Sequence, residues 1–173
     1  MNESFDGIRG YLAGLLEDRD LDTEEMERLC ADLAGRRELW QPFVRHSEDE
    51  RIYTRIYRDH HLEVWLICWC GDQETGLHDH DVSSGAVRVI EGELAEDRLV
   101  LGGEGIATTR YDTGQSFRFD ATRIHDVRHV GDEPSISIHL YSPPLWRMGY
   151  YDVGEDGRIS RRSASYAEEL TAG

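Results

Sequence analysis

The sequence predicts a mainly β protein: one antiparallel barrel or sandwich, with N-terminal α-helices packed outside it. Three observations carry this expectation. Beyond Trp40-Gln41-Pro42-Phe43 the chain becomes a series of short runs rich in β-branched and aromatic residues, punctuated by Gly, Asp and Pro. No stretch between those runs has the length or periodicity of a crossover helix, so the strands must pair antiparallel. Helical periodicity is confined to about the first forty residues. A chain of 173 residues supports one hydrophobic core, which gives a single domain over 1–173, helical over about 1–40 and a β-barrel over about 50–161.

A first helix is expected over about 5–16. The second, within 21–35, has its own start and stop signals. Asp22 and Glu25 form a capping box, and Leu21 and Met26 are placed as a hydrophobic staple. Met26, Leu29, Cys30 and Leu33 then make one apolar stripe, and Gly35 supplies a stop. Strands are expected near 51–58, 62–70, 86–90, 94–101, 106–111, 115–119, 125–129, 135–141, 150–153 and about 158–161. The final stretch, 163–173, is small and polar and reads as a frayed end.

Charge narrows the partners. With 35 acidic against 19 basic residues the net charge is -16, which excludes nucleic acid and anionic membrane surfaces, since both need a basic face. No apolar run is long enough to span a bilayer. An anionic small molecule entering so acidic a protein needs a dedicated cation in its pocket. The N-terminus lacks the basic start and apolar run of a signal peptide, and three cysteines, Cys30, Cys68 and Cys70, make an odd count. A reducing, cytoplasmic location without disulfides is expected. The sequence sets no oligomeric state.

Two blocks carry histidines at metal-ligand spacing. In His78-Asp79-His80, alternate strand residues project to one face, so both imidazoles can reach one ion. Gly71 precedes this pair and Gly92 follows it. Gly114, a Phe117-x-Phe119 strand and His125 repeat the logic. These blocks resemble the two metal motifs of the cupins, which implies a cupin-type, jelly-roll-like antiparallel β-barrel. The position where cupins usually place a glutamate falls on Gly85, leaving His78, His80 and His125 as three neutral ligands with open coordination positions. Such a set accepts Zn, Fe, Ni or Cu alike. His46 and His60-His61 read as solvent-facing loop residues, and His129 as strand pairing or support for a ligand.

The run Ser135-Ile136-Ser137-Ile138-His139-Leu140-Tyr141-Ser142-Pro143-Pro144 alternates cleanly. Ile136, Ile138 and Leu140 face one way, and Ser137, His139 and Tyr141 the other. The polar face is either a solvated outer surface or a relay in which Ser137 and His139 orient the Tyr141 hydroxyl. Together with Tyr53-Thr54-Arg55, Cys68-Trp69 and His78-Asp79-His80, this run resembles the cysteine dioxygenases, themselves cupins, over about 53–153. The resemblance implies Fe(II) on His78, His80 and His125, with a small thiol and O2 as substrates and a sulfinate as product. It implies that Arg55, beside Tyr53, pairs with the substrate carboxylate. It makes Tyr141, supported by His139 and Ser137, the residue beside the iron, and it implies a cis Ser142-Pro143 bond where trans is the uninformed expectation. Animal members carry a cysteine crosslinked to that tyrosine where this chain has Gly85, so no crosslink is expected, and Cys68 matches a structural cysteine. L-Cysteine is the expected substrate. The rivals are another small thiol, such as a mercapto-carboxylic acid, and a metal-binding cupin without turnover.

Overall fold

The computed structural model describes residues 3–100, 105–154 and 158–165. Its elements are α1 (Glu3–Ala13), α2 (Thr23–Ala34), α3 (Arg37–Trp40), a 3-10 turn (Gln41–Phe43), and eleven strands among the described residues: β1 (Ile52–Arg58), β2 (Glu63–Trp69), β3 (His78–Asp79), β4 (Ser84–Glu91), β5 (Glu93–Leu99), β6 (Ile106–Asp112), β7 (Ser116–Phe119), β8 (His125–Val130), β9 (Ser135–Ser142), β10 (Arg147–Val153) and β11 (Ile159–Ser165). They form two antiparallel sheets, ordered β1-β2-β9-β4-β7 and β11-β10-β3-β8-β5-β6. This is the antiparallel architecture that the strand pattern predicted, with the cupin-type, jelly-roll-like arrangement that the resemblance of the two histidine blocks implied.

Two apolar layers share the five-stranded sheet. All seven residues of β2 and all eight of β9 are buried, because each strand has a core on both faces. Val64, Leu66, Cys68, Ile136, Ile138 and Leu140 pack with Met26, Cys30 and Leu33 of α2 and with Ile8 and Leu12 of α1. Trp65, Ile67, Trp69 and Tyr141 point the other way, into the space between the sheets, where they meet Leu94 of β5 and Val127 of β8. The helices therefore close the outer face of one sheet and leave the interior to the strands.

The α2 start is as expected: Asp22 Oδ1 accepts the backbone N–H groups of Glu24 and Glu25 at 2.8 Å, and Glu25 reaches back to the Asp22 N–H at 2.9 Å. The end differs. Gly35 stays right-handed at φ -70, and the chain turns directly into α3, so it does not stop the helix by a left-handed cap. Helix α1 ends at Ala13 rather than near 16, where Gly14 lowers helical propensity and Leu15 and Leu16 fold back onto the Leu12 carbonyl. Residues 163–165 belong to β11, paired with β10, and are not frayed. Position 101 of the strand expected over 94–101, and positions 166–173 of the tail, lie outside the described residues. The His78-Asp79-His80 strand is only two residues long, since the chain turns at Asp81 with φ 55.

At Gly92 the geometry explains the residue. Its φ of +79 suits the β4–β5 turn, and a Cβ there would lie 2.2 Å from Ser135 Oγ, which bonds the Glu93 N–H and C=O. No described helix is long and apolar enough to cross a membrane.

Candidate metal centre

Strand register brings two of the three histidines together, because His78 on β3 lies directly opposite His125 on β8. His80, one step past the end of β3, completes the group. One ring nitrogen from each lies within 4.8 Å of the others, and all three side chains are buried. His78 Nε2 and His80 Nε2 are 3.1 Å apart.

The partners of the outer nitrogens define the tautomers. His78 Nδ1 lies 2.8 Å from the Gly76 carbonyl, which can only accept, so the proton sits on Nδ1 and the lone pair on Nε2. His125 Nδ1 lies 2.8 Å from Glu96 Oε1, a carboxylate 1% exposed that also accepts from Arg123 at 2.9 Å. Its Nε2 is likewise left as a donor to an ion, and such carboxylate–histidine pairs raise ligand basicity. Burial first, then the proximity of His125, holds His78 down at about 3, and burial and the neighbouring histidines keep His80 well below 6.5. Three buried rings with converging nitrogens, two of them fixed by hydrogen bonds at their outer nitrogens, fit a metal ion.

Asp79, between the two histidines, points away from them. It accepts from Arg161 Nε at 2.7 Å, Arg161 Nη2 at 2.9 Å and Tyr151 hydroxyl at 2.5 Å, which ties β3 to β10 and β11. Burial opposes its charge, but the Arg161 and Tyr151 hydrogen bonds prevail and hold its pKa at about 2. The opposite wall is Phe119, stacked on His80 at 4.6 Å and 4.7 Å from the His125 ring. A Cβ at Gly85 would lie 2.4 Å from Phe119 Cζ, so this ring occupies the place that a side chain at 85 would fill.

The polar face of β9 is buried, not solvated. Trp69 Nε1–H donates to Ser137 Oγ at 2.9 Å, Ser137 Oγ lies 2.8 Å from His139 Nε2, and His139 Nδ1 lies 3.4 Å from the Tyr141 hydroxyl. Burial lowers His139 to about 3 and raises the Tyr141 hydroxyl above its ordinary value. The Tyr141 ring is 5.1 Å from His80. The Ser142-Pro143 bond is cis.

A cavity of about 90 Å³ opens beside His78 and His125, lined also by His139, Tyr141, Tyr53 and Trp65. Arg55 is not among its lining residues. Its Nη1 lies 3.5 Å from Glu63 Oε1, its guanidinium is 6.0 Å from the Trp65 ring, and it borders an outer groove with Arg58, Pro143 and Trp146. Sequence reasoning passed over Arg51 and Glu96, and read Phe119 only as part of the strand before His125. Of these, Glu96 had a signal: it shares an alternation face with Leu94, where an acid needs a buried partner.

The remaining histidines are elsewhere. His129 bridges the carbonyls of Gly71 and Glu133 at 2.8 and 2.9 Å. His61 is not a free loop residue, since its ring lies 2.8 Å from Asp20 and 3.1 Å from Asp18. Cys30 and Cys68 are buried against the helices, and burial raises both thiols.

The sequence profile described as Cysteine dioxygenase type I matches residues 3–153. The chain is 24% identical over 162 residues to cysteine dioxygenase type 1 of Danio rerio, covering 87% of this chain and 80% of that one. It is 22% identical over 144 residues to the Bos taurus protein of the same name, covering 76% and 70%. Among solved structures it is similar to an uncharacterized conserved protein with a double-stranded β-helix domain from Klebsiella pneumoniae, with a TM-score of 0.53 and 21% identity over 72% of this chain and 88% of that one.

Proposed function

Because the chain belongs to the cysteine dioxygenase type I family, we propose that it oxidises L-cysteine with O2 to cysteine sulfinic acid at Fe(II) held by His78, His80 and His125. The observation that carries this reading is the convergence of three buried imidazoles beside a small cavity that Tyr141 also lines. In the overall reaction two S–O bonds form, the O–O bond breaks, sulfur loses four electrons and O2 gains them. A bound Fe(II) supplies open coordination positions and redox chemistry suited to a thiol and O2.

The chain's own groups have separate tasks. Trp69 donates to Ser137, so the Ser137 hydroxyl proton is available to His139 Nε2. His139 then carries its proton on Nδ1, facing the Tyr141 oxygen, and the Tyr141 proton is left to donate into the cavity. Burial keeps that hydroxyl protonated, as a hydrogen-bond donor to substrate must be. The Tyr53 and Trp65 rings, 5.7 Å apart, give the cavity an apolar wall. The carboxylate of cysteine calls for a cation, and the N-terminal part of β1 offers two arginines, Arg55 and, just before the strand, Arg51.

The test is oxygen uptake with sulfinate formation after anaerobic loading with Fe(II). L-Cysteine should give both in equal amounts. No turnover with cysteine, mercaptopropionate or aminoethanethiol would overturn the reading in favour of a metal-binding cupin without activity.

A further inference from the structure

We infer that Arg161, on β11, is a positioning residue of the metal centre: through Asp79 it fixes the turn that aims His80. This rests on the three-histidine reading and not on which thiol the centre serves. The three ligands are not held alike. His78 and His125 each have a hydrogen-bond partner at Nδ1, the Gly76 carbonyl and Glu96. His80 Nδ1 is buried and has none among the described residues. Rings press on it from the sides, Phe119 at 4.6 Å and Tyr141 at 5.1 Å, but no hydrogen bond orients that outer nitrogen. Its aim therefore depends on the backbone that carries it. That backbone is a turn, since His80 follows the end of β3 and Asp81 has φ 55.

Asp79 closes the turn, because its Oδ1 accepts the Asp81 N–H at 2.9 Å. The same oxygen accepts from Arg161 Nη2 at 2.9 Å, while Oδ2 accepts from Arg161 Nε at 2.7 Å. Arg161 Nη1 donates to Ser163 Oγ at 2.6 Å, so every guanidinium nitrogen is engaged. A paired fork of this kind fixes a carboxylate in direction as well as distance. Ion pairs in open solvent are worth little, but here the carboxylate belongs to a residue 6% exposed and both its oxygens are bound.

The sheet makes room for this reach. Strand β10 lies between β11 and β3, so Arg161 spans two strand spacings, roughly 10 Å, to meet Asp79. On the strand being crossed, the residue opposite Asp79 is Gly149. A Cβ at Gly149 would lie 2.2 Å from Arg161 Nε and 2.4 Å from Cζ, so the guanidinium occupies the space that a side chain would fill. Strand β11 lies beyond residues 3–153 that the family profile matches, so membership of the family assigns Arg161 no role.

The experiment uses the full chain with Co(II) as probe, whose visible spectrum reports ligand geometry and whose affinity is read by chelator competition. Arg161→Gln should weaken Co(II) binding on the order of 10-fold and alter the visible bands. Arg161→Lys, a point charge in place of a fork, should recover part of the loss. Gly149→Ala should evict the guanidinium and reproduce the Arg161→Gln change, while adding less than about 2-fold to Arg161→Gln itself. In a His80→Ala background Arg161→Gln should change Co(II) binding by less than about 2-fold, whereas in a His125→Ala background its effect should persist. The inference is overturned if Arg161→Gln keeps the parent's affinity and spectrum. It is equally overturned if the loss is as large without His80, which would make Arg161 a stabiliser of the sheet alone. Thiol turnover by the parent would leave the dioxygenase reading standing in either case. A parent that binds no Co(II) would sink the three-histidine reading and the inference with it. Binding that depends on Arg161 and His80 without turnover of any thiol would uphold the inference and sink the dioxygenase reading.

Discussion

Replacing Gly85 by alanine tests whether Phe119 truly substitutes for a side chain in the metal wall. The added Cβ would lie 2.4 Å from Phe119 Cζ, 2.8 Å from Cε2 and 2.8 Å from the Leu140 carbonyl oxygen. Carbon atoms rest at about 3.5 Å, so the ring must withdraw by about 1 Å. It has little room to do so, because Phe119 is 2% exposed and is held between His80 and His125. Overpacking of this kind costs about 1–3 kcal/mol, which for a chain of this size lowers Tm by on the order of 3–10 °C. Thermal unfolding followed by circular dichroism gives the cost. A cycle with Phe119→Leu, which retracts the atoms in conflict, gives the coupling. Gly85→Ala should be strongly destabilising in the parent and much less so in the Phe119→Leu background. Equal stability of Gly85→Ala and parent, or a coupling within about 0.5 kcal/mol of zero, would refute the steric argument.

Three further outcomes are expected. Glu96→Gln removes the charge behind His125 and should weaken metal binding by about 10- to 100-fold in a chelator competition, and an unchanged affinity would detach Glu96 from the centre. Arg161→Gln frees Asp79 and should speed metal release in a stopped-flow chelation trace while leaving the Fe(II):protein ratio at saturation unchanged. No change in release would mean that the β11 contact does not hold the histidine turn. Hydrogen bonding to Asp20, helped by Asp18 against desolvation, raises the His61 pKa above 6.5. The folded value exceeds the unfolded one, so the stabilisation is complete below pH about 6.5 and disappears as pH rises through the folded pKa. The Tm difference between parent and His61→Gln should therefore shrink from pH 6 to pH 9 on the order of the full effect, and a gap independent of pH would contradict the pairing.

What could be read from the sequence was what local chemistry determines. The Asp22 cap needs only residues three apart, and the β9 alternation needs only the strand period. The same alternation could not distinguish a solvated face from a cavity, since Ser137, His139 and Tyr141 suit both, and the difference depends on Trp69 and the opposite sheet. The histidine spacing was legible, whereas the short length of β3 was not, because Asp81 turns the chain where alternation alone would continue it. Arg51 and Phe119 have no local signature. One acquires its meaning from Glu74 and the cavity, the other from an absent Cβ at Gly85 on a neighbouring strand.

The double burial of β9 has a consequence for how the chain finds its pairing. Its aliphatic residues serve the helical layer, and its polar residues serve the cavity. A one-residue slip against β2 or β4 would exchange the two sets at a stroke. Ser137, His139 and Tyr141 would enter a greasy layer without partners, while Ile136, Ile138 and Leu140 would fill the substrate space. The packing that excludes the misaligned sheet is thus the packing that aims the Tyr141 hydroxyl, and no separate device is needed to guard the alignment.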